Sequence, residues 1–230
     1  NFAQQIRSVQ LFNPHTNDET PVIGFNEQLI LRFDDLSNGS NVYRYTLRHF
    51  DRNWNDDGLF FTEFATGSLN GLIDQFQYSF NTIQQYTHYT LSFPNDKIRP
   101  KISGNFELLV YLDSASNPLF TKRFCIVEDG ATVGLNVSRT LDARKPQMNQ
   151  RVQVQVIGSS ESLTSNVNTV SLNVIQNNNW NITVNDQKPS STLGNKLLFQ
   201  QMNLVFPGNN EFYYFDNKNM NGSFDMIAGG

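Results

Sequence analysis

The sequence predicts an all-β chain of two β-sandwich domains in tandem, 1–129 and 130–230, and three observations lead there. Short segments alternate apolar and polar side chains with a period of two, as in Leu29–Phe33, Tyr43–His49, Thr87–Phe93 and Phe106–Leu112. That period places every second side chain on one face of a pleated strand. The 19 Phe and 8 Tyr favour strands over helices. No segment sustains the 3.6-residue period of a long amphipathic helix.

Ile6–Phe12 reads as the first strand and closes at Asn13-Pro14. The second places Leu29, Leu31 and Phe33 opposite Gln28, Ile30 and Arg32, and stops at Asp34-Asp35. Asn38-Gly39 then supplies a turn that tolerates positive φ. Tyr43, Tyr45, Leu47 and His49 share one face of the next strand, with Trp54 plugging its end. Phe60–Phe64 reads as a short strand, and 65–77 as loop with a helical turn. In the aromatic stretch Tyr78–Phe93, the half from Tyr86 alternates: Thr87, Tyr89, Leu91 and Phe93 face the core, while Tyr78 to Tyr86 forms an exposed lead-in. Phe106–Leu112 and Phe120–Ile126 form a hairpin about the turn Ser114–Pro118. Roughly seven strands at this spacing predict an immunoglobulin-like or fibronectin-like sandwich, without the cysteine pair of an antibody domain.

Val127-Glu128-Asp129-Gly130 marks the domain boundary. Beyond it, Val133/Leu135/Val137, Val152/Val154/Val156 and Val170/Leu172/Val174 repeat the alternation. Leu197–Gln201 and Glu211–Asp216 complete a second, smaller immunoglobulin- or fibronectin-like β-sandwich.

The net charge of −4 leaves no basic stripe for nucleic acid. One cysteine, Cys125, excludes an internal disulfide framework. No apolar run reaches the length of a membrane helix, so no direct membrane span is expected. The chain opens at Asn1 rather than Met, as removal of an N-terminal segment would leave it.

No residue set specifies catalysis, and neither cofactor nor metal is expected. His15, His49 and His88 are scattered, which is not a zinc pattern. His49 with Asp51 resembles a base and its orienter, but the face it shares with Tyr43, Tyr45 and Leu47 reads as core or edge. Asp51-Arg52-Asn53-Trp54-Asn55-Asp56-Asp57-Gly58 has the oxygen spacing of a calcium loop, yet Asp56 stands where glycine is required and Thr62 where glutamate is. Turn chemistry accounts for that segment, and for Asn217, Asn219 and Asn221. The pairs Asp34-Asp35 and Asp56-Asp57 are sequence neighbours in turns, a poor geometry for two-carboxylate hydrolysis. No nucleophile elbow or phosphate loop is present. Trp54, Tyr78, Tyr86, Trp180 and Tyr213 are the aromatics available for stacking on sugars or a protein partner. Asn38, Asn136, Asn181 and Asn221 begin Asn-x-Ser/Thr triplets at chance frequency, and Asp113-Ser114-Ala115 makes Ser114 an O-glycosylation candidate.

Several segments in order resemble one family: Ile6–Leu11, Phe33–Leu36, Tyr43–His49 with Trp54, Phe76–Thr82, Gln85–Tyr89, Phe93–Asn95, Ser103–Phe106, Arg123-Phe124, Val137–Arg139 and Phe206–Phe212. This is the plug protein family of the type IX secretion system of Bacteroidetes. Phe50 and Asn209 depart from its pattern. The resemblance implies the N-terminal part of a longer, non-enzymatic periplasmic protein. Such a protein binds the outer-membrane translocon barrel and seals its periplasmic opening. Loops on a rigid scaffold usually carry recognition. The loops 51–58 and 65–75 are therefore the expected contact regions, with Asp51, Asn53, Trp54, Asn55, Tyr78 and Tyr86 as contact residues. A carbohydrate-binding or other envelope module is the competing expectation, and a hydrolase with a β accessory domain a third.

Overall fold

The computed structural model describes residues 5–16, 21–37, 39–128, 130–140, 149–159, 162–177, 179 and 181–208. The chain is all-β and divides into two compact units, Asn1–Asp129 and Gly130–Gly230.

The first unit contains β1 (Ile6–Phe12), β2 (Val22–Gly24), β3 (Leu29–Asp35), β4 (Tyr43–Phe50), α1 (Phe61–Phe64), β5 (Ala65–Gly67), β6 (Gly71–Ile73), β7 (Gln75–Tyr78), β8 (Thr87–Phe93), β9 (Ile98–Pro100), β10 (Gly104–Tyr111) and β11 (Phe120–Val127). A four-stranded sheet, β1-β3-β8-β7, and a five-stranded sheet, β2-β11-β10-β4-β6, enclose one hydrophobic core. β5 and β9 pair separately. β2 joins β11 in parallel; the other pairings are antiparallel.

The alternation read from sequence governs which side chains enter. Leu29, Leu31 and Phe33 of β3 meet Phe93, Leu91 and Tyr89 of β8 as direct cross-strand partners, and all six are buried. Phe33 stacks on Tyr89 at 5.0 Å, Tyr43 meets both edge-on at 5.1 and 4.8 Å, and Phe106 stacks on Phe124 at 5.3 Å. Each such pair contributes roughly 0.5–1.5 kcal/mol beyond the area it buries. Gly71 lies against the Tyr45 ring, where a Cβ would collide with it.

Three expectations are corrected. Phe60–Phe64 is not a strand: Phe61–Phe64 forms one helical turn, begun where the Glu63 carboxylate accepts the Phe60 N–H at 2.7 Å. Residues 65–77 are not a loop but the short strands β5, β6 and β7, in which the chain passes at Asp74 from one sheet to the other. Trp54 does not plug the sandwich. It is half exposed beside Phe50, with the Arg123 guanidinium over its ring at 4.6 Å.

The second unit contains β12 (Ala131–Arg139), β13 (Asn149–Gly158), α2 (Ser162–Ser165), a 3-10 turn (Val167–Thr169), β14 (Leu172–Ile175), β15 (Thr183–Gln187), β16 (Ser191–Leu193), β17 (Lys196–Phe199) and β18 (Val205–Pro207). The sheet runs β12-β13-β17-β16, with β18 also paired to β13. Val152, Val154, Val156, Leu197, Phe199, Leu204 and Phe206 form its core, partly covered by Leu172, Val174 and Val184 from the β14–β15 hairpin. Val133, Leu135 and Val137 pair with Val156, Val154 and Val152 but remain exposed. The strand expected at Glu211–Asp216 lies outside the described residues.

Candidate partner-contact surface

The 51–58 loop follows β4 and is organised around one carboxylate. Asp51 Oδ1 accepts the N–H groups of Asn53 and Asn55, both at 2.8 Å, and Oδ2 accepts the Asn55 side-chain amide at 3.2 Å. The Asp51 carbonyl accepts the Trp54 N–H, and the Asp51 N–H reaches the Asn55 carbonyl. Trp54 sits at φ 62°, which this cage of bonds imposes on a non-glycine residue. The Asn55 N–H, then burial, then the Asn53 N–H and the other contacts set the Asp51 carboxyl; the hydrogen bonds prevail and lower its pKa. Of the oxygens that resemble cation ligands in sequence, both carboxylates are thus engaged: Asp51 by the loop's own donors, and Asp57 by the Leu59 N–H and His49. Among the described residues no cluster of three His, Cys, Asp or Glu side chains is placed to hold a metal.

His49 is not paired with Asp51. Its Nδ1 meets Asp57 Oδ2 at 2.5 Å, while its ring packs on Phe106 and Phe64 at 4.8 and 5.9 Å. Gly104 backs directly onto the imidazole, so a side chain there would displace it. The histidine has its carboxylate and its aromatic neighbours, and the ring fills the end of the core.

Tyr78 and Tyr86 lie elsewhere. Tyr43, at the start of β4, packs on Tyr89 near the start of β8, whereas Tyr45 packs on Phe93 at its end. Across the sandwich the two strands therefore run the same way. The start of β4 lies near Tyr86 and its end leads into the 51–58 loop. The eight residues of β4 separate these ends by roughly 25 Å. The sequence-predicted contact residues accordingly form two groups, not one site.

The Tyr78/Tyr86 end rests on a buried polar network. Asp35 is fully buried, and its carboxylate accepts bonds from Ser37 N–H and Oγ, Asn41 Nδ2 and Tyr43 Oη at 2.8–2.9 Å. Burial pushes its pKa up, but the bonds from Ser37, Asn41 and Tyr43 outweigh burial and hold the carboxyl below its usual range. Burial, then the Asp35 hydrogen bond and charge, raise the Tyr43 phenol. The Asn41 N–H donates to Tyr89 Oη, and the Thr87 hydroxyl donates to the Gly39 carbonyl at 2.6 Å. The turn from β3 to β4 is thereby fixed against β8.

On this base stand the exposed groups. Tyr78 is 62% exposed, Tyr86 is half-buried, and the intervening loop closes on Ser79, whose N–H donates to the Tyr86 carbonyl while its Oγ accepts the Tyr86 N–H, both at 2.9 Å. Gly39, Tyr78, Ser79, Gln85, Tyr86 and Thr87 line a shallow cavity of about 250 Å³. Phe80 and Ile83, within the lead-in read as exposed, and Phe76 just before it are exposed apolar residues that the sequence reading did not single out as contacts. Phe80 and Ile83 carried a usable signal, being large apolar residues between polar neighbours and outside any alternating pattern. Ser114 is exposed in the turn between β10 and β11, where its Oγ accepts the Ser116 N–H. Trp180 and Tyr213 lie outside the described residues.

These features define an all-β scaffold whose exposed chemistry lies on loops and a strand edge. Residues 6–128, from the first residue of β1 to one past β11, match the family model described as the type 9 secretion system plug protein 1st domain, and the chain belongs to that family. The fold is also that of a hypothetical protein from Parabacteroides merdae ATCC 43184 known from a crystal structure. The two are 29% identical with a TM-score of 0.85, over 95% of this chain and 57% of the other. The chain thus spans little more than half the length of that relative. A comparison with curated proteins gives no match.

Proposed function

We propose that the chain acts as a non-enzymatic periplasmic plug, which binds the outer-membrane translocon barrel of the type IX secretion system and seals its periplasmic opening. The observation that carries this reading is the family match, which takes in every strand of the first sandwich. The physics of such a role is steric. A plug has to hold its shape against a pore, and a core of interlocked aromatic rings between two sheets resists deformation. It also needs surface for a large, polar-rimmed contact. Tyr78 and Tyr86 with their loop offer such surface at one end, and Trp54 with the Asp51-centred loop at the other. Asp51, Asn53 and Asn55 hold the shape of the second, so their part is to present Trp54. Among the described residues no helix is long and apolar enough to cross a membrane. On this reading the protein reaches the outer membrane through the barrel.

Affinity purification of the tagged protein from its native outer membrane, with identification of the partners by mass spectrometry, tests the proposal. The expected result is recovery of the barrel in stoichiometric amount. Recovery without any barrel counts against the plug, and specific retention on a glycan array lost in Trp54→Ala transfers the protein to the carbohydrate-binding class.

A further inference from the structure

The two sheets of the first unit have four outer strands, and three are blunted. β1 carries a bulge between Arg7 and Gln10, with Ser8 at φ 53°, and the Arg7 guanidinium occupies the Ile6 carbonyl at 2.8 Å. β2 is three residues long, and the Glu27 carboxylate takes the Gly24 N–H at 2.8 Å. β6 is also three residues long and opens with Gly71. Such devices prevent a sheet edge from recruiting a foreign strand.

β7, at four residues, is short as well, but among the described residues it carries no bulge, glycine or side chain bonded to its edge. Its sequence, Gln-Phe-Gln-Tyr, contains no proline, lysine or bulge, and all four residues are exposed. It is the last strand of its sheet among the described residues. The Ser79 N–H bonded to the Tyr86 carbonyl sets the phase of the ladder with β8. Bonded and non-bonded pairs alternate in an antiparallel ladder. Gln75 and Gln77 therefore direct their backbone groups to Thr90 and His88, while Phe76 and Tyr78 direct N–H and C=O outward. Those two residues offer two donors and two acceptors at the spacing that a strand requires.

The surroundings specify what the strand would look like. Phe76 and Tyr78 pair with the buried Tyr89 and Thr87, so their rings lie on the core side of the sheet and project beyond its rim. On the other face, a depression of about 600 Å³ runs alongside Gln75 and Gln77, between Arg32, Asp74, His88 and Thr90. A strand laid beside β7 sends alternate side chains to these two faces. It meets aromatic rings on one and polar groups on the other.

We infer that the β7 edge is a strand-addition site for an extended, alternately apolar and polar segment of the translocon. The segment pairs with the outward backbone groups of Phe76 and Tyr78. This inference rests on the plug reading and gives it a contact. Backbone pairing supplies the affinity in this mode, and alternate side chains supply the selectivity. The exposed Phe80 and Ile83 continue the apolar rim beyond the strand.

The test compares Tyr78→Ala with Tyr78→Pro in binding to the detergent-solubilised translocon. Both variants lose the ring, but only proline loses the outward N–H, and the β7–β8 ladder does not use that group. Proline on an edge strand is tolerated where its nitrogen faces solvent. Tyr78→Pro is expected to bind about tenfold more weakly than Tyr78→Ala, from the lost hydrogen bond and the ring's clash with the incoming strand. In the wild-type complex, amide exchange at Phe76 and Tyr78 should slow, which requires no variant to fold. Equal binding by the two variants, or unchanged exchange at these amides in a formed complex, overturns the inference and leaves the plug reading intact. Protection in the isolated protein together with dimerisation assigns the edge to a second copy and also overturns it. Absence of any complex overturns both readings.

Discussion

Replacing Tyr43 by Phe removes one oxygen from a fully buried ring and little else. The Tyr43 hydroxyl donates to Asp35 Oδ2 at 2.9 Å, and the carboxylate keeps Ser37 and Asn41 when it is lost. The ring's contacts with Phe33 and Tyr89 need not change. A hydrogen bond to a charged group is worth about 1.5–3 kcal/mol, so the first unit should lose on the order of 2 kcal/mol at pH 7. The sign of the pH dependence follows from Asp35, whose carboxyl is held low in the folded state. Its contribution is present above the unfolded pKa of about 3.9 and disappears as pH falls through the folded value. Once Asp35 is protonated the bond joins neutral groups, worth about 0.5–1.5 kcal/mol, and the gap between wild type and variant narrows. Native-state amide exchange at β3, β4 and β8 reads this unit separately from the second. A loss below roughly 0.5 kcal/mol at pH 7, or a gap between wild type and variant that widens as pH falls, would refute the reasoning.

Three further outcomes are expected. Gly71→Ala drives a Cβ into the Tyr45 ring. It should cost about 1–3 kcal/mol, seen as a lower thermal midpoint for the first unit; an unchanged midpoint contradicts the packing. Burial raises the Cys125 thiol to about 11, with its S–H donating to Asn105 Oδ1 at 3.2 Å. Alkylation at pH 8 should therefore run roughly two orders of magnitude slower than for a free cysteine, and a rate within a few-fold of free cysteine counts against that environment. Asp51→Ala removes the acceptor shared by the Asn53 and Asn55 amides. Both should exchange faster while β3 and β8 amides are unaffected, and slow exchange in the variant would show that the carboxylate does not organise the loop.

The strands buried on one face were legible in the sequence. β3 and β8 alternate because a one-residue slip would turn every core side chain outward, whereas the second half of β10 is buried on both faces. The residues 65–78 were not, because β5, β6 and β7 are each too short for a period to develop and are interrupted by Gly67, Gly71 and Asp74. The helical turn at Phe61–Phe64 hid within an aromatic run, and the glutamate three residues beyond Phe60 was its only local sign. His49 was legible as a core or edge residue from the face it shares with Tyr43, Tyr45 and Leu47, but its partner Asp57 was not, since that contact depends on how the loop folds back once Asp51 is committed to the loop amides. The proposed contact surface was legible only in parts. The exposure of Tyr78 could be read from its setting, but the edge at β7 depends on which side of the strand β8 occupies, and that pairing is tertiary.

The central claim is that this chain closes a pore, and conductance tests it most directly. The purified translocon barrel in a planar bilayer should carry a large current that falls when the chain is added on the periplasmic side and returns when it is washed out. An undiminished current with the chain demonstrably bound to the barrel would contradict the account.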